Sequence, residues 1–258
     1  MTTTMLPEIT YLTPPEKVSM GDAWFSIAST EHFWIRRRFE VLRKLAPDFQ
    51  WDKLRLAEIG CGSGLLQRQI EDQFGASVDG FDLNEAAMKQ SVARKSKRFS
   101  YNIYTRSPHL REAYDGLFLF DVIEHLDDHA GFLKAAIFHL KPGGHVFINV
   151  PSDPALFSAY DEAAGHIRRY LGADLSALAQ SCGLRVVDWT YWGWPLRLLL
   201  HIRQRRLRGA TDHDQILRDG FSSRGALLNG ALHLYSQLEV LPQQRAGSSL
   251  MLIAQRPA

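Results

Sequence analysis

Three glycines at alternate positions, Gly60, Gly62 and Gly64, stand in LRLAEIGCGSGLLQRQ (54–69), after a short apolar run and before a segment with helical spacing. Glycine there lets the chain turn tightly and lets bare backbone approach a ligand. One acid, Glu58, precedes the loop. A second, Asp82 in VDGFDLN, follows about 20 residues on, where a carboxylate can grip both ribose hydroxyls. A dinucleotide fingerprint wants its third glycine at the position of Leu65, and Glu58 would repel a pyrophosphate. The pattern favours a cationic adenosine ligand that carries an amino group.

Two further clusters could do chemistry. Asp121, Glu124 and His125 of FDVIEHL are spaced i, i+3 and i+4, one face of a helical turn. His125 is there a candidate general base with an acid to orient it. The same three, completed by His166, are the alternative of a hard-cation site. The plain reading, core decoration without a metal, leads. YDEAAGHIRRYL (160–171) gathers Asp161, His166, Arg168, Arg169 and Tyr170. Gly165 permits a turn that aims His166 into a cleft, so His166 is the first choice of base. Arg168, Arg169 and Tyr170 are expected on the substrate side. The arginines either bind an anionic acceptor group or pair with Asp161 and Glu162.

Positioning these residues takes an ordered scaffold. Strand-like runs at 54–60, 77–83, 99–104, 116–122, 145–150, 184–192 and 249–255 alternate with helical patterns at 64–74, 84–96, 128–140 and 173–182. Such alternation implies parallel crossovers and a doubly wound sheet covered on both faces. An earlier helix is expected in STEHFWIRRRFEVLRKLA, capped by Ser29 or Thr30. Residues 195–247 read as a helical insertion before a last, antiparallel strand.

AEIGCGSG, VDGFDLN, FDVIEHL and LKPGGHVFINVPS, in this order, resemble the successive motifs of class I S-adenosylmethionine-dependent methyltransferases over roughly residues 50–190. The resemblance implies an α/β Rossmann-like fold with a seven-stranded sheet of order 3-2-1-4-5-7-6. It implies S-adenosylmethionine as cofactor and S-adenosylhomocysteine as product. Gly60, Cys61 and Gly62 would line the methionine part and Asp82 the ribose. Leu83 would flank the adenine, and Phe120 or Asp121 would lie near the sulfonium. EHFWIRRRF resembles the helix before the core in ubiquinone-biosynthesis-like O-methyltransferases, where an arginine, here Arg38, reaches the cofactor carboxylate. Those enzymes and small-RNA terminal 2′-O-methyltransferases also resemble the 121–125 spacing, with Glu where this chain has Asp121. No divalent metal is expected. The implied reaction moves a methyl group to oxygen, before nitrogen or carbon, of a small-molecule or lipid-linked acceptor. Two other classes stay open: a cofactor-binding scaffold without transfer, and an NAD-dependent oxidoreductase.

At 258 residues the chain suits one domain (21–258) behind an N-terminal arm (1–20), with a helical cap at 21–50. A net charge of +2 gives no general pull toward nucleic acid, and two cysteines, Cys61 and Cys182, suggest a reducing compartment. The expected location is cytoplasmic, at most peripheral to the inner face of a membrane. WGWPLRLLLHIRQRRLRG sets Trp192, Trp194 and leucines beside Arg197, Arg203, Arg205, Arg206 and Arg208, with no acid from 189 to 211. That fits contact with anionic lipid through 195–208, and fits a dimer-facing helix nearly as well. GALLNGALHLYSQLEVL offers an apolar stripe to wall an acceptor pocket or join two subunits.

Overall fold

The computed structural model of the protein describes residues 8–18, 22–207, 209–221 and 225–258. Its first half runs β1 (Ile9–Tyr11), α1 (Asp22–Ile27), α2 (Phe33–Leu45), β2 (Leu56–Ile59), α3 (Leu65–Phe74), β3 (Val78–Asp82), α4 (Glu85–Lys89) and β4 (Arg98–Ser100). β5 (Tyr114–Phe120), α5 (His129–Ile137), β6 (Leu140–Pro151), α6 (Ala159–Ala164), α7 (Gly172–Ser181) and β7 (Arg185–Trp192) follow. Helices α8 (Arg197–Arg206), α9 (His213–Phe221) and α10 (Ala226–Ser236) then intervene before β8 (Ser249–Gln255).

The described strands form one sheet in the order β1-β4-β3-β2-β5-β6-β8-β7. All neighbours from β1 to β6 run parallel, and β8 runs antiparallel between β6 and β7. The side-chain period of two splits the central strands between two cores. On β5, Leu117 and Leu119 enter the layer with Leu133 and Leu175, while Phe118 and Phe120 enter the layer with Trp51 and Leu42. Without β1 the order is the 3-2-1-4-5-7-6 implied by the motifs. The eighth strand comes from the expected arm. Ile9, Thr10 and Tyr11 pair with Arg98, Phe99 and Ser100, and the following residues cross the sheet edge through Asn102 N–H to Thr13 Oγ1 and Glu16 N–H to Leu83 O.

The helix expected over 84–96 stops at Lys89. The carboxylate of Glu71 accepts from the backbone N–H groups of Arg94, Lys95 and Ser96 at 2.6–2.8 Å, and Val92 N–H goes to Ser63 O. Those donors are satisfied in a turn, so nothing is gained by helix there.

Candidate active site

β2 ends and the chain turns through Gly60, Gly62 and Gly64, all with positive φ, into α3. The turn has no room for side chains at its tip. A Cβ on Gly60 would lie 2.5 Å from Val122 Cγ2, and one on Gly62 would lie 2.7 Å from Phe25 Cε1. Asp82, at the end of β3, closes the loop: Oδ2 accepts from Gly62 N–H at 2.6 Å and Oδ1 from Asn84 N–H at 2.7 Å. Burial pushes the Asp82 carboxyl up, and these N–H bonds oppose it.

Glu58 points into the same cleft from β2. Its Oε2 makes no hydrogen bond to a described residue. Burial pushes its carboxyl up to about 8, against Arg38 and with help from Asp82 and Asp121. Arg38 comes from α2, its guanidinium lying 5.2 Å from the Trp34 ring centroid and 5.1 Å from that of Phe120, and it forms an ion pair with Asp121. Asp121 also accepts from Asn149 Nδ2 at 2.8 Å and sits at φ 58, off the helical turn the sequence suggested. All nine expected cofactor residues, Arg38, Glu58, Gly60, Cys61, Gly62, Asp82, Leu83, Phe120 and Asp121, line one cleft of about 450 Å³. Asn102, Ile103 and Tyr104 also line it, although their sequence lacks the acid that marks such a position. Only their place just after a strand end could have found them.

A second cavity, of about 670 Å³, lies beside the first and shares Trp24 and Asp121 with it. Leucines of α8 and α10 line it, and His166, Asp161 and Arg169 supply its polar wall. Gly165, with φ 80, turns the chain so that His166 enters. His166 Nδ1 lies 3.1 Å from Asp161 Oδ1. Asp161 is fully buried and accepts from Arg169 Nε at 2.9 Å and Nη2 at 3.1 Å, and from Ser158 N–H at 2.9 Å. Burial alone would push its carboxyl up, but the His166 bond and the Arg169 charge hold it below the usual carboxylate range. An ionised Asp161 accepts a hydrogen bond from Nδ1–H, which leaves Nε2 of the neutral ring as the accepting nitrogen.

His125 is different. It lines the cofactor cleft, its Nδ1 donates to Gly165 O at 3.0 Å, and burial, with His166 beside it, lowers its pKa to about 3. Such a ring stays neutral and is a weak proton acceptor, and it lines the cofactor cleft and not the larger cavity where His166 lies. Of the four residues in the metal alternative, three come together: ligand atoms of Glu124, His125 and His166 lie within 4.8 Å of one another. Asp121 is spent on Arg38 and Asn149 instead.

The substrate set needs correction. Neither Arg168 nor Tyr170 lines the described cavities. Tyr170 is buried, pairs with Ser152 in a β-bridge, and donates its hydroxyl to Ile123 O, while Arg168 reaches His129 and Asp127 O. The extended segment is pinned along the end of β6, so its side chains brace the wall. Arg169 does touch the cavity but is spent on Asp161 and on Ser152 O at 3.0 Å. Arg203 stands apart from the basic residues it is grouped with in the sequence. It turns inward over the Tyr160 ring, 3.9 Å from its centroid, and donates to Gly220 O.

The methyltransferase-domain family model matches residues 31–188, more than half of the chain. A ubiquinone biosynthesis O-methyltransferase of Marinobacter nauticus is 30% identical over 37% of this chain, a stretch covering 43% of that relative, so the chain matches under half of its length. Among solved structures, the phosphoethanolamine N-methyltransferase 2 of Haemonchus contortus, bound to S-adenosylhomocysteine, is similar at TM-score 0.54 and 20% identity over 87% of this chain and 53% of that one. A cyclase is similar at TM-score 0.57 and 15% identity over 95% of this chain and 89% of that one. Likeness at such identities concerns the fold, which hosts more than one reaction.

Proposed function

The chain belongs to the methyltransferase-domain family, and on that premise we propose that it is an S-adenosylmethionine-dependent methyltransferase acting on a hydroxyl of an amphipathic acceptor. The observation that carries this reading is the pair of abutting cavities. One has a glycine-backed floor and acids for an amino group and a ribose. The other is lined by leucines and carries a histidine–aspartate pair. S-adenosylmethionine supplies an electrophilic methyl group when bound; the remaining tasks fall to the chain. Gly60 and Gly62 give it room, Asp82 suits the ribose, and Glu58 and Arg38 suit the amino-acid end. Holding acceptor oxygen and methyl in line is then the main source of rate. His166 Nε2 takes the hydroxyl proton, with Asp161 fixing the ring.

Glu58 makes cofactor binding depend on pH. A ligand ammonium selects its carboxylate, while the free protein holds the proton up to about pH 8. Binding therefore releases a proton below that pH. S-adenosylhomocysteine affinity is expected to rise by up to about tenfold per pH unit between roughly 5 and 8. Glu58→Gln should flatten the slope. Calorimetry across this range checks it, and a slope that survives in Glu58→Gln removes Glu58 from this role.

The acceptor reading is tested with 4-hexylcatechol, hexylamine and hexanethiol as probes, with product masses read after incubation with S-adenosylmethionine. Methylation of the catechol alone is expected. Transfer to the amine or thiol instead would overturn the choice of oxygen.

A second reading concerns Glu124, fully buried with neither carboxylate oxygen hydrogen-bonded to a described residue. With His125 and His166 it offers one oxygen and two nitrogen donors, a set that suits a divalent cation. His166 would then be a ligand and not the base. Chelator-treated protein should keep its rate on the catechol if His166 is the base. Loss of rate, restored by Mg²⁺ or Mn²⁺, would favour the cation.

A further inference from the structure

We propose that the outward faces of α8 and α10 dock on the surface of an anionic lipid bilayer, with the mouth of the larger cavity inside the contact. The polarity of α10 is inverted. Leu227 and Leu234, on one stripe of the helix, and Leu238, just past its end, are 93%, 67% and 71% exposed. The opposite stripe, which faces the protein, is polar. Asn229 accepts from Phe33 N–H at 2.8 Å and donates to Glu31 O at 2.7 Å. His233 Nε2 lies 3.1 Å from Glu40 Oε1, and Ser236 is buried. Just beyond the helix, Glu239 pairs with Arg37 and accepts from Gly193 N–H and Trp194 N–H. These bonds fix α10 against α2, so the helix cannot roll its leucines inward without stranding buried polar groups.

α8 continues the same surface. Trp194, Leu198 and Ile202 are exposed along one of its sides, with Arg205 and Arg206 following. Arg197 is paired with Asp153 and Arg203 turns inward, which leaves exposed Arg205 and Arg206 as the cationic fringe, with Arg206 also lining the cavity. Arg208 lies outside the described residues. Charge decides the occupant. No acid occurs from 189 to 211, and residues 226–238 contain no Asp, Glu, Lys or Arg. The outward faces of α8 and α10, apolar with a basic fringe and no acid of their own, match a negatively charged lipid surface, and the one exposed acid among the described lining of the larger cavity, Asp219, belongs to α9. A second copy joined about a two-fold axis would bring a second set of the same arginines into the contact, with no acid of α8 or α10 to meet them. Leu199, Ile202 and Leu228 are exposed and also line the larger cavity, so its opening lies within this face. No described helix is long and apolar enough to cross a membrane, and surface docking requires none.

The proposal rests on these helices and not on the methyl acceptor, so docking and transfer stand or fall separately. The full chain is sedimented with vesicles of phosphatidylcholine alone and of phosphatidylcholine with phosphatidylglycerol, at low and high salt. Binding to the anionic vesicles is expected, with each arginine removed in R205E/R206E weakening it by about fivefold or more. L227E/L234E/L238E should weaken it by about tenfold or more while keeping wild-type melting and S-adenosylhomocysteine affinity. Should the triple variant fail to fold, the arginine pair carries the test alone. No binding to anionic vesicles, or equal salt-independent binding to neutral ones, overturns the proposal. So does a wild-type dimer that L227E/L234E/L238E converts to monomer with no lipid bound, which would make this face a subunit interface.

Discussion

Arg169→Met is expected to destabilise the fold by about 3–5 kcal/mol, because it strands a buried carboxylate. For a chain of this size that lowers the melting temperature by roughly 6–20 °C. Asp161 has no solvent exposure, and Arg169 meets it with two nitrogens while its third holds Ser152 O at the end of β6. Methionine fills similar space and supplies none of the three donors. Arg168→Met, one residue away, should change stability by less than about 0.5 kcal/mol, since Arg168 is bonded at the surface. The sign of the acid dependence follows from Asp161, whose carboxyl is held below its usual range. The stabilisation is present above the unfolded carboxylate pKa, about 3.9, and fades as pH falls through the lower folded value. Thermal melts of the two variants decide the matter. A drop in Arg169→Met no larger than in Arg168→Met would mean that the pair adds nothing and would reopen Arg169 as a substrate residue.

This contrast also marks what the sequence could and could not convey. The glycine loop was legible because only glycine tolerates its three positive φ values and its contacts with Val122 and Phe25. Glu58 and Asp82 were legible because each sits at a strand end beside that loop, so strand spacing alone located them. Tertiary choices were not legible. Three consecutive residues, Arg168, Arg169 and Tyr170, are polar and adjacent, yet Arg168 and Tyr170 meet at His129 while Arg169 turns to Asp161 and Ser152. β1 has three residues, too short for a periodic signal, and exists because the edge of β4 is there to pair with. The helix after β3 ends early because a glutamate about 20 residues upstream reaches its backbone. On α10 the spacing gave a true apolar stripe but no direction, since periodicity says that two faces differ and not which one meets the core. Arg203 looked like one more surface cation until Tyr160 and Gly220 gave it an inward place.

His166→Ala is expected to lower kcat on the catechol probe by about 10²- to 10⁴-fold while leaving S-adenosylhomocysteine affinity unchanged. His166 lines the larger cavity and does not line the cofactor cleft, so its removal spares the cofactor. Asp161 keeps Arg169 and Ser158 as partners, so the fold does not depend on the imidazole. A phenolic hydroxyl, with pKa near 10, is almost wholly protonated at pH 7, and the base removes that proton as the methyl moves. Without the base, the reaction must wait for the small phenolate fraction, which grows about tenfold per pH unit up to about 10. The variant's rate should therefore climb with that slope while the wild type flattens at lower pH, and the two should converge in alkali. A structural role for His166 predicts something else: a constant ratio between the two rates across the range, or loss of S-adenosylhomocysteine binding along with the rate. Parallel pH profiles would take the proton-accepting role away from His166 and leave positioning, not proton transfer, as the source of catalysis at this site.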